Sequence, residues 1–368
     1  MASLSAGTVV RANPTDRLTQ RDQYITIALG LWLMGGLLVD GWVHENLRQL
    51  EGFFTPWHGL FYSGYAASSA WLIWLIWRGR RAGRVGLAAL PRGYELGLAG
   101  TVLFGLGGVG DMAWHLAFGI ERDRAALLSP THLLLFAGMT LIVTSPFRAA
   151  WASPDRADVA PSLARFLPAL LSLTAATAFA GFFNGYLWAL IINHHRPATV
   201  AAYAQSESAR ALLNLSRDLD LAAILLSDLL LLAPVLLILR RWRPPFGSVT
   251  LLWGALAAMG SAVVAFRFAE YIAVGLVAGL AADCLIRALR PCPARVLATH
   301  AFAALAPLTF WGLYFLATRL RWGEGWSPEL WVGITVMAAL SGVGLSVLMS
   351  PPTLPDPAPI AADQRPLG

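Results

Sequence analysis

Residues 24–44 read YITIALGLWLMGGLLVDGWVH, and this stretch decides the fold. No charged residue precedes Asp40 in it, and it is about as long as the 20 residues that a helix needs to cross a bilayer core of about 30 Å. Of the whole chain, 57% is hydrophobic and 13% is charged, whereas soluble domains carry about 25% charged residues. The sequence therefore predicts an all-α integral membrane protein whose main partner is the lipid bilayer.

Comparable apolar runs recur along the chain and predict a bundle of about ten transmembrane helices. Their expected bounds are 24–44, 58–77, 94–117, 131–150, 164–190, 219–239, 248–267, 269–287, 297–318 and 329–349. Four regions follow: an N-terminal segment 1–23, a four-helix region 24–150, a six-helix region 151–350 and a Pro-rich tail 351–368 that is expected to be disordered.

Arginine clusters between the apolar runs predict the topology. They precede the first helix (Arg11, Arg17, Arg21) and follow the second (Arg78, Arg80, Arg81, Arg84) and the sixth (Arg240, Arg241, Arg243). Because cytoplasmic loops are enriched in arginine, both termini are expected in the cytoplasm, with the protein in a bacterial inner membrane. The clusters form no continuous basic stripe, so a nucleic-acid partner is not expected.

An internal repeat stands out in the first four helices. Residues 35–64 read GGLLVDGWVHENLRQLEGFFTPWHGLFYSG, and residues 105–138 read GLGGVGDMAWHLAFGIERDRAALLSPTHLLLFAG. Both copies contain Asp-x3-His followed by Pro-x-His, and both join a helix end, a polar loop and the start of the next helix. The sequence thus predicts a tandem helical hairpin, with each copy placing a carboxylate and two imidazoles on the outer membrane face.

These residue types in this pattern indicate a metal site. An Asp and a His four residues apart project from one helix face, and imidazole suits copper, zinc and iron, so all three metals remain open. Ionisable groups inside a membrane also call for a compensating partner, which a cation supplies. The candidate ligands are Asp40, His44, His58, Asp111, His115 and His132.

Further residues on the same predicted face are candidates for contacts that orient the imidazoles. Glu45, Glu51 and Glu121 lie in or beside the repeat loops, and the adjacent pair His194 and His195 lies in a later connection.

At these motifs the chain resembles the C subunit of copper membrane monooxygenases, the family of particulate methane and ammonia monooxygenases. That subunit carries an Asp-x3-His and an Asn-x3-His pair in successive hairpins, each followed by another histidine. The resemblance implies copper bound by two sets, one of Asp40, His44 and His58 and the other of Asp111, His115 and His132. Asp111 stands where the family pattern has Asn. The resemblance also implies further membrane or periplasmic subunits.

Three functions follow as hypotheses. The first is a copper-binding, monooxygenase-like oxidoreductase component acting on a small or apolar substrate. The second is a metal transporter or copper-delivery factor, in which buried polar groups such as Asp228 continue a path from the site. The third is a non-catalytic structural subunit, in which the Asp and His side chains only hydrogen-bond across helices. Catalytic residues are not assigned by any of these.

Overall fold

The computed structural model describes residues 18–47, 52–119, 127–153, 160–323 and 325–350, and in these ranges the chain is helical with no β-strand. We number its α-helices in chain order. They are α1 (Gln20–Asn46), α2 (Pro56–Arg81), α3 (Glu95–Phe118), α4 (Pro130–Val143), α5 (Ser145–Trp151), α6 (Leu163–Phe183), α7 (Pro197–Ala204), α8 (Ala209–Leu239), α9 (Ser248–Val263), α10 (Glu270–Leu289), α11 (Val296–Trp322) and α12 (Pro328–Leu348).

Seven of the described helices are long and apolar enough to cross a membrane, namely α1, α3, α6, α8, α10, α11 and α12. The bent pair of α4 and α5 makes an eighth span if the two are counted together. The prediction of an all-α membrane bundle is confirmed. The count of ten crossings stays a prediction, since α9 is a shorter apolar helix and α2 is not among the seven.

Local chemistry explains where the helices begin and bend. Thr19 and Asp22 form a capping box at the start of α1, each side chain accepting a hydrogen bond from the other's backbone N–H, which satisfies donors that a helix start leaves unpaired. The expected helix 131–150 instead bends by 43° at the break between α4 and α5. Pro146 lies just after this break, and a proline inside a helix removes one hydrogen bond and clashes with the preceding turn.

Two other boundaries differ from the sequence prediction. The helix expected to end at residue 190 ends at Phe183, because the chain turns into a short 3-10 segment at Gly185–Leu187. The helix expected to begin at residue 219 begins at Ala209. Its first turns carry charged residues that lower the hydropathy there without preventing helix formation, so hydropathy placed its start too late.

Antiparallel neighbours build the bundle around one central helix. The closest pairs are α1 with α2, α3 with α4, α9 with α10 and α11 with α12, and α6 contacts α1, α4, α5, α8 and α9. The apolar window of α6 is 72% buried, the highest share among the candidate spans. We call the end of the bundle that contains Asn46, Phe118 and Phe183 the site end. Asn46 donates a hydrogen bond there to the carbonyl of Val263, which also places the end of α9 at the site end.

Candidate metal centre

Two helix starts each place one histidine at the site end. Thr55 caps α2 and Ser129 caps α4, and each hydroxyl accepts a hydrogen bond from the backbone N–H of the histidine three residues on, His58 or His132. A proline follows each cap, a position that suits proline because the N–H it lacks would have no helical partner. The Pro-x-His motif is therefore a helix start that holds its histidine in the first turn.

The first Asp/His set joins the last turns of α1 to the first turn of α2. Nδ1 of His58 lies 3.6 Å from Oδ1 of Asp40, and Nε2 of His44 lies 3.9 Å from Oδ2 of the same carboxylate. Asp40 is buried, and its Oδ1 makes no hydrogen bond within the described part of the chain. Burying a carboxylate oxygen without a hydrogen-bond donor costs free energy, unless a cation or another donor lies next to that oxygen.

The second set repeats this arrangement between α3 and α4 and is tighter. Nε2 of His132 lies 2.9 Å from Oδ1 of Asp111, and Nε2 of His115 lies 3.4 Å from the same oxygen. Two hydroxyls also orient the carboxylate: Thr131 donates to Oδ1 and Tyr62 donates to Oδ2, each at 3.2 Å. Asp111 is 1% exposed, so these contacts replace its solvent almost completely.

His58 connects the two sets into one centre. Its ring lies edge-on to those of His44 and His115, with centroids 5.7 and 6.3 Å apart. Asp40, His44 and His58 each offer a ligand atom within 4.8 Å of the others, and so do His58, Asp111 and His115. The two Asp/His sets thus form one continuous cluster at the site end, made of Asp40, His44, His58, Asp111, His115 and His132, which we call the six-residue cluster.

The hydrogen bond of His115 indicates which of its two ring nitrogens carries the proton. Nδ1 of His115 lies 3.2 Å from the carbonyl oxygen of Gly119, and a carbonyl can only accept, so Nδ1 carries a proton. In a neutral imidazole Nε2 is then an acceptor, and it lies 3.4 Å from the acceptor Oδ1 of Asp111. Either a second ring proton or a cation has to reconcile these two acceptors. Metal-bound histidines usually show this pattern, donating their other ring N–H to a carbonyl or carboxylate.

An aromatic wall and an apolar cavity adjoin the cluster. Phe53 stacks on His58 with centroids 5.2 Å apart and also contacts Tyr62 and His115. Beside it lies a cavity of about 590 Å³ between α2 and α3. Its lining is mainly apolar and includes His58 as the one member of the six-residue cluster, with three glycines, Met112 and several aromatic rings around it.

The other predicted candidates fall in two groups. Glu51 and Glu121 lie outside the described residues, as does the side chain of Glu45. His194 and His195 are described, and both pack against Asp220 of α8. None of the contacts found in the described ranges joins this pair to the six-residue cluster.

Asp220 is a candidate functional residue that the sequence analysis did not identify. Its carboxylate accepts from Nδ1 of His194 at 2.8 Å and from Nδ1 of His195 at 2.9 Å. The available signal was an acid at the start of an otherwise apolar run, downstream of a His-His pair. The histidine partners became apparent only once the fold was known.

No family model matches this chain, and searches of curated proteins and of solved structures find no match. The resemblance to the monooxygenase C subunit therefore stays a prediction, and the functional argument rests on the geometry of the six-residue cluster.

Proposed function

We propose that the six-residue cluster binds a transition-metal ion, copper before zinc or iron, and that the protein is a membrane oxidoreductase component acting on a small apolar substrate. The observation that carries the metal site is the shared position of His58, because it makes two neighbouring three-ligand groups out of two separate sequence motifs.

Charge and solvation support a metal over a purely structural role. Two buried carboxylates lie in one cluster, and an ionised carboxylate taken out of water is costly unless it is paired and hydrogen-bonded. Helix packing alone would be served by neutral polar groups at lower cost. A cation would offset the charge of both carboxylates. It would also lie beside Oδ1 of Asp40, which has no hydrogen-bond partner among the described residues.

The donor set favours copper(II) among the divalent ions. Imidazole nitrogen and carboxylate oxygen suit copper, zinc and iron, and nitrogen and oxygen sites generally bind copper(II) most tightly in the first-row series. Copper bound here would supply the redox chemistry. The chain's own residues hold the ligands in place: Tyr62 and Thr131 fix Asp111, and the Gly119 carbonyl fixes the ring of His115.

The cavity beside His58 supports an apolar substrate. The lining of this cavity is mostly apolar. The cavity lies between α2 and α3, and apolar residues at its edge, such as Val109, are exposed on the surface of the bundle. An apolar molecule dissolved in the bilayer therefore has a pocket next to the proposed ligands, and Phe53 covers the face of His58 that borders it.

Metal content tests the proposal directly. Detergent-purified protein is loaded with copper, desalted and measured by mass spectrometry beside the double variant His44→Ala/His115→Ala. The matched control is Gln205→Ala/Asn214→Ala, which removes two exposed polar side chains elsewhere. We expect stoichiometric copper in the wild type and the control and its loss in the double variant, with all three proteins folded by circular dichroism and gel filtration.

Three outcomes would change the assignment. Wild-type protein that holds no metal after loading refutes the site. Zinc bound in preference to copper keeps the site but removes the redox function. Copper accumulation inside vesicles reassigns the cluster to transport or delivery.

A further inference from the structure

A second polar region lies in the other half of the bundle, where the chain between α6 and α7 folds back among the helices. Trp188, Ala189 and Leu190 in this connection are at most 3% exposed, although the segment is not an α-helix. Irregular backbone at membrane depth is tolerated only where protein buries it or where it lines a polar cavity. This segment therefore marks a place where polar groups enter the bundle.

At the end of this segment a carboxylate links a partly exposed histidine to a buried one. The side chain of His194 is 26% exposed, that of His195 is 1% exposed, and both donate through Nδ1 to Asp220. The bond from Nδ1 of His195 directs its Nε2 away from the carboxylate. That nitrogen is buried and makes no hydrogen bond in the described ranges. The triad therefore connects the site end to an open proton-accepting atom in the interior.

Hydroxyl groups continue inward from His195. Its ring lies 5.6 Å from that of Tyr314, whose hydroxyl donates to the carbonyl of Ala189. The N–H of Ala189 donates to the hydroxyl of Ser227 at 2.9 Å. Ser227 precedes Asp228 in α8, so this line of polar groups leads to a second buried carboxyl.

Asp228 occupies the middle of the bundle. It lies eight residues beyond Asp220 on α8, which is about 12 Å along a helix. Its Oδ1 accepts from the indole N–H of Trp311, its Oδ2 makes no hydrogen bond among the described residues, and Ser341 of α12 is its other polar neighbour. One oxygen is thus held in place, and the other is available to gain or lose a proton.

A further titratable group lies toward the opposite end. His300 of α11 is half-buried, and its Nδ1 lies 2.7 Å from the hydroxyl of the fully buried Ser346 of α12. His300 lies eleven residues before Trp311 on the same helix, about 16 Å away along the axis. Since α8, α11 and α12 pack against one another, Asp220, Asp228 and His300 lie on helices that share one interface, and the His194/His195 pair lies at its start through the contact with Asp220.

We propose that this interface conducts protons across the membrane, independently of the six-residue cluster. The polar file consists of His194, Asp220, His195, Asp228, Ser346 and His300. A proton from the site end passes through the His/Asp triad, is carried by Asp228 at mid-depth and leaves past His300, with water bridging the longer gaps. Pumps and transporters commonly use chains of Asp, Glu and His side chains inside the membrane as proton relays.

Two polar residues close to His195 in the structure, Arg196 and Tyr271, have partners of their own. Arg196 follows His195 directly in the chain, but its Nε donates to the carbonyl of Asn193 and its guanidinium lies over Phe268 and Trp322. The hydroxyl of Tyr271 accepts from Asn193 and lies 2.9 Å from that of Thr318. Neither residue is hydrogen-bonded to His195.

The test measures proton flux in liposomes. Purified protein is reconstituted with a pH-sensitive dye inside, potassium and valinomycin clamp the membrane potential, and a chelator keeps the six-residue cluster metal-free. Asp228→Asn retains an acceptor for Trp311 but cannot carry a proton, and Asp228→Glu restores the acid. The control is Asp283→Asn, a buried acid of α10 whose oxygens accept from backbone and side-chain donors at the start of α9.

We expect wild type, Asp228→Glu and Asp283→Asn to dissipate an imposed pH gradient, and Asp228→Asn to fall to the rate of protein-free liposomes while remaining folded. His195→Gln should lose flux in the same way. Wild-type flux no faster than that of empty liposomes would overturn the proposal. So would an Asp228→Asn protein that conducts like wild type, because Asp228 would then only anchor Trp311.

Discussion

Removal of the Tyr62 hydroxyl should weaken metal binding without disturbing the bundle. Tyr62 donates to Oδ2 of Asp111 at 3.2 Å, while Thr131 and the histidines occupy the other oxygen. In Tyr62→Phe the carboxylate keeps its position on α3 but loses the donor that fixes its rotation. The ligand oxygen then has to be ordered when the metal binds.

The structure sets the size of this effect. A hydrogen bond to a charged group contributes about 1.5–3 kcal/mol, and each ~1.4 kcal/mol changes a binding constant about tenfold. Tyr62→Phe is therefore expected to raise the Kd for copper by about 10–100-fold, the range found when contacts that orient metal ligands are removed. Cavity formation adds little, because only one oxygen atom is removed.

Tyr65→Phe is the matched control. Tyr65 lies one turn further along α2 and lines the same cavity, but its hydroxyl donates to the carbonyl of Thr101 and not to the cluster. Copper affinity is measured by competition with a chelator of known affinity, with circular dichroism to verify folding. Equal Kd values for the two variants would refute the argument that Tyr62 orients Asp111.

Two further predictions concern glycines. Gly59 lines the cavity, and a Cβ there would meet no atom within 4 Å. Gly59→Leu should therefore fill the cavity and abolish oxidation of an apolar substrate in a turnover assay, while the copper content is unchanged. The control Gly344→Leu, at an equally open position on α12, should retain activity in the same assay. Gly36→Ala should destabilise the α1–α2 hairpin by about 1–3 kcal/mol, because its Cβ would lie 2.5 Å from the Cα of Phe61. The control Gly35→Ala places its Cβ in open space, so its free energy of unfolding, measured by chemical denaturation, should equal that of the wild type.

Much of the fold and of the first site was predictable from the sequence for physical reasons. Apolar length indicates a span, and an acid four residues before a histidine places both on one helix face. The proline of each Pro-x-His suits the first turn of a helix, so His58 and His132 were expected near the helix ends that carry Asp40 and Asp111. Alternation of direction along the chain then brings these residues to one end of the bundle, as the structure shows.

What the sequence did not predict depends on contacts between distant segments. The triad of His194, His195 and Asp220 forms only because the connection after α6 turns back into the bundle, and hydropathy treats that segment as a continuation of the helix. The indole of Trp311 reaches Asp228 from 83 positions away. Local patterns such as helix period and capping carry no information about such distances, and no relative was found to supply it.

The role of His58 shows why the number of sites could not be read from the motifs. Two copies of one hairpin predict two three-ligand sets and leave open whether these form one centre or two. In the structure each copy closes its own set across its own loop. Whether the sets merge depends on how α2 packs on α3, where glycines such as Gly105 and Gly108 face Tyr65 and Tyr62 without room for a Cβ. This close approach brings His58 to His115, with ring centroids 6.3 Å apart. The glycines between the hairpins therefore bear on the number of sites, because a wider α2–α3 separation would leave two separate three-ligand sets in place of one cluster.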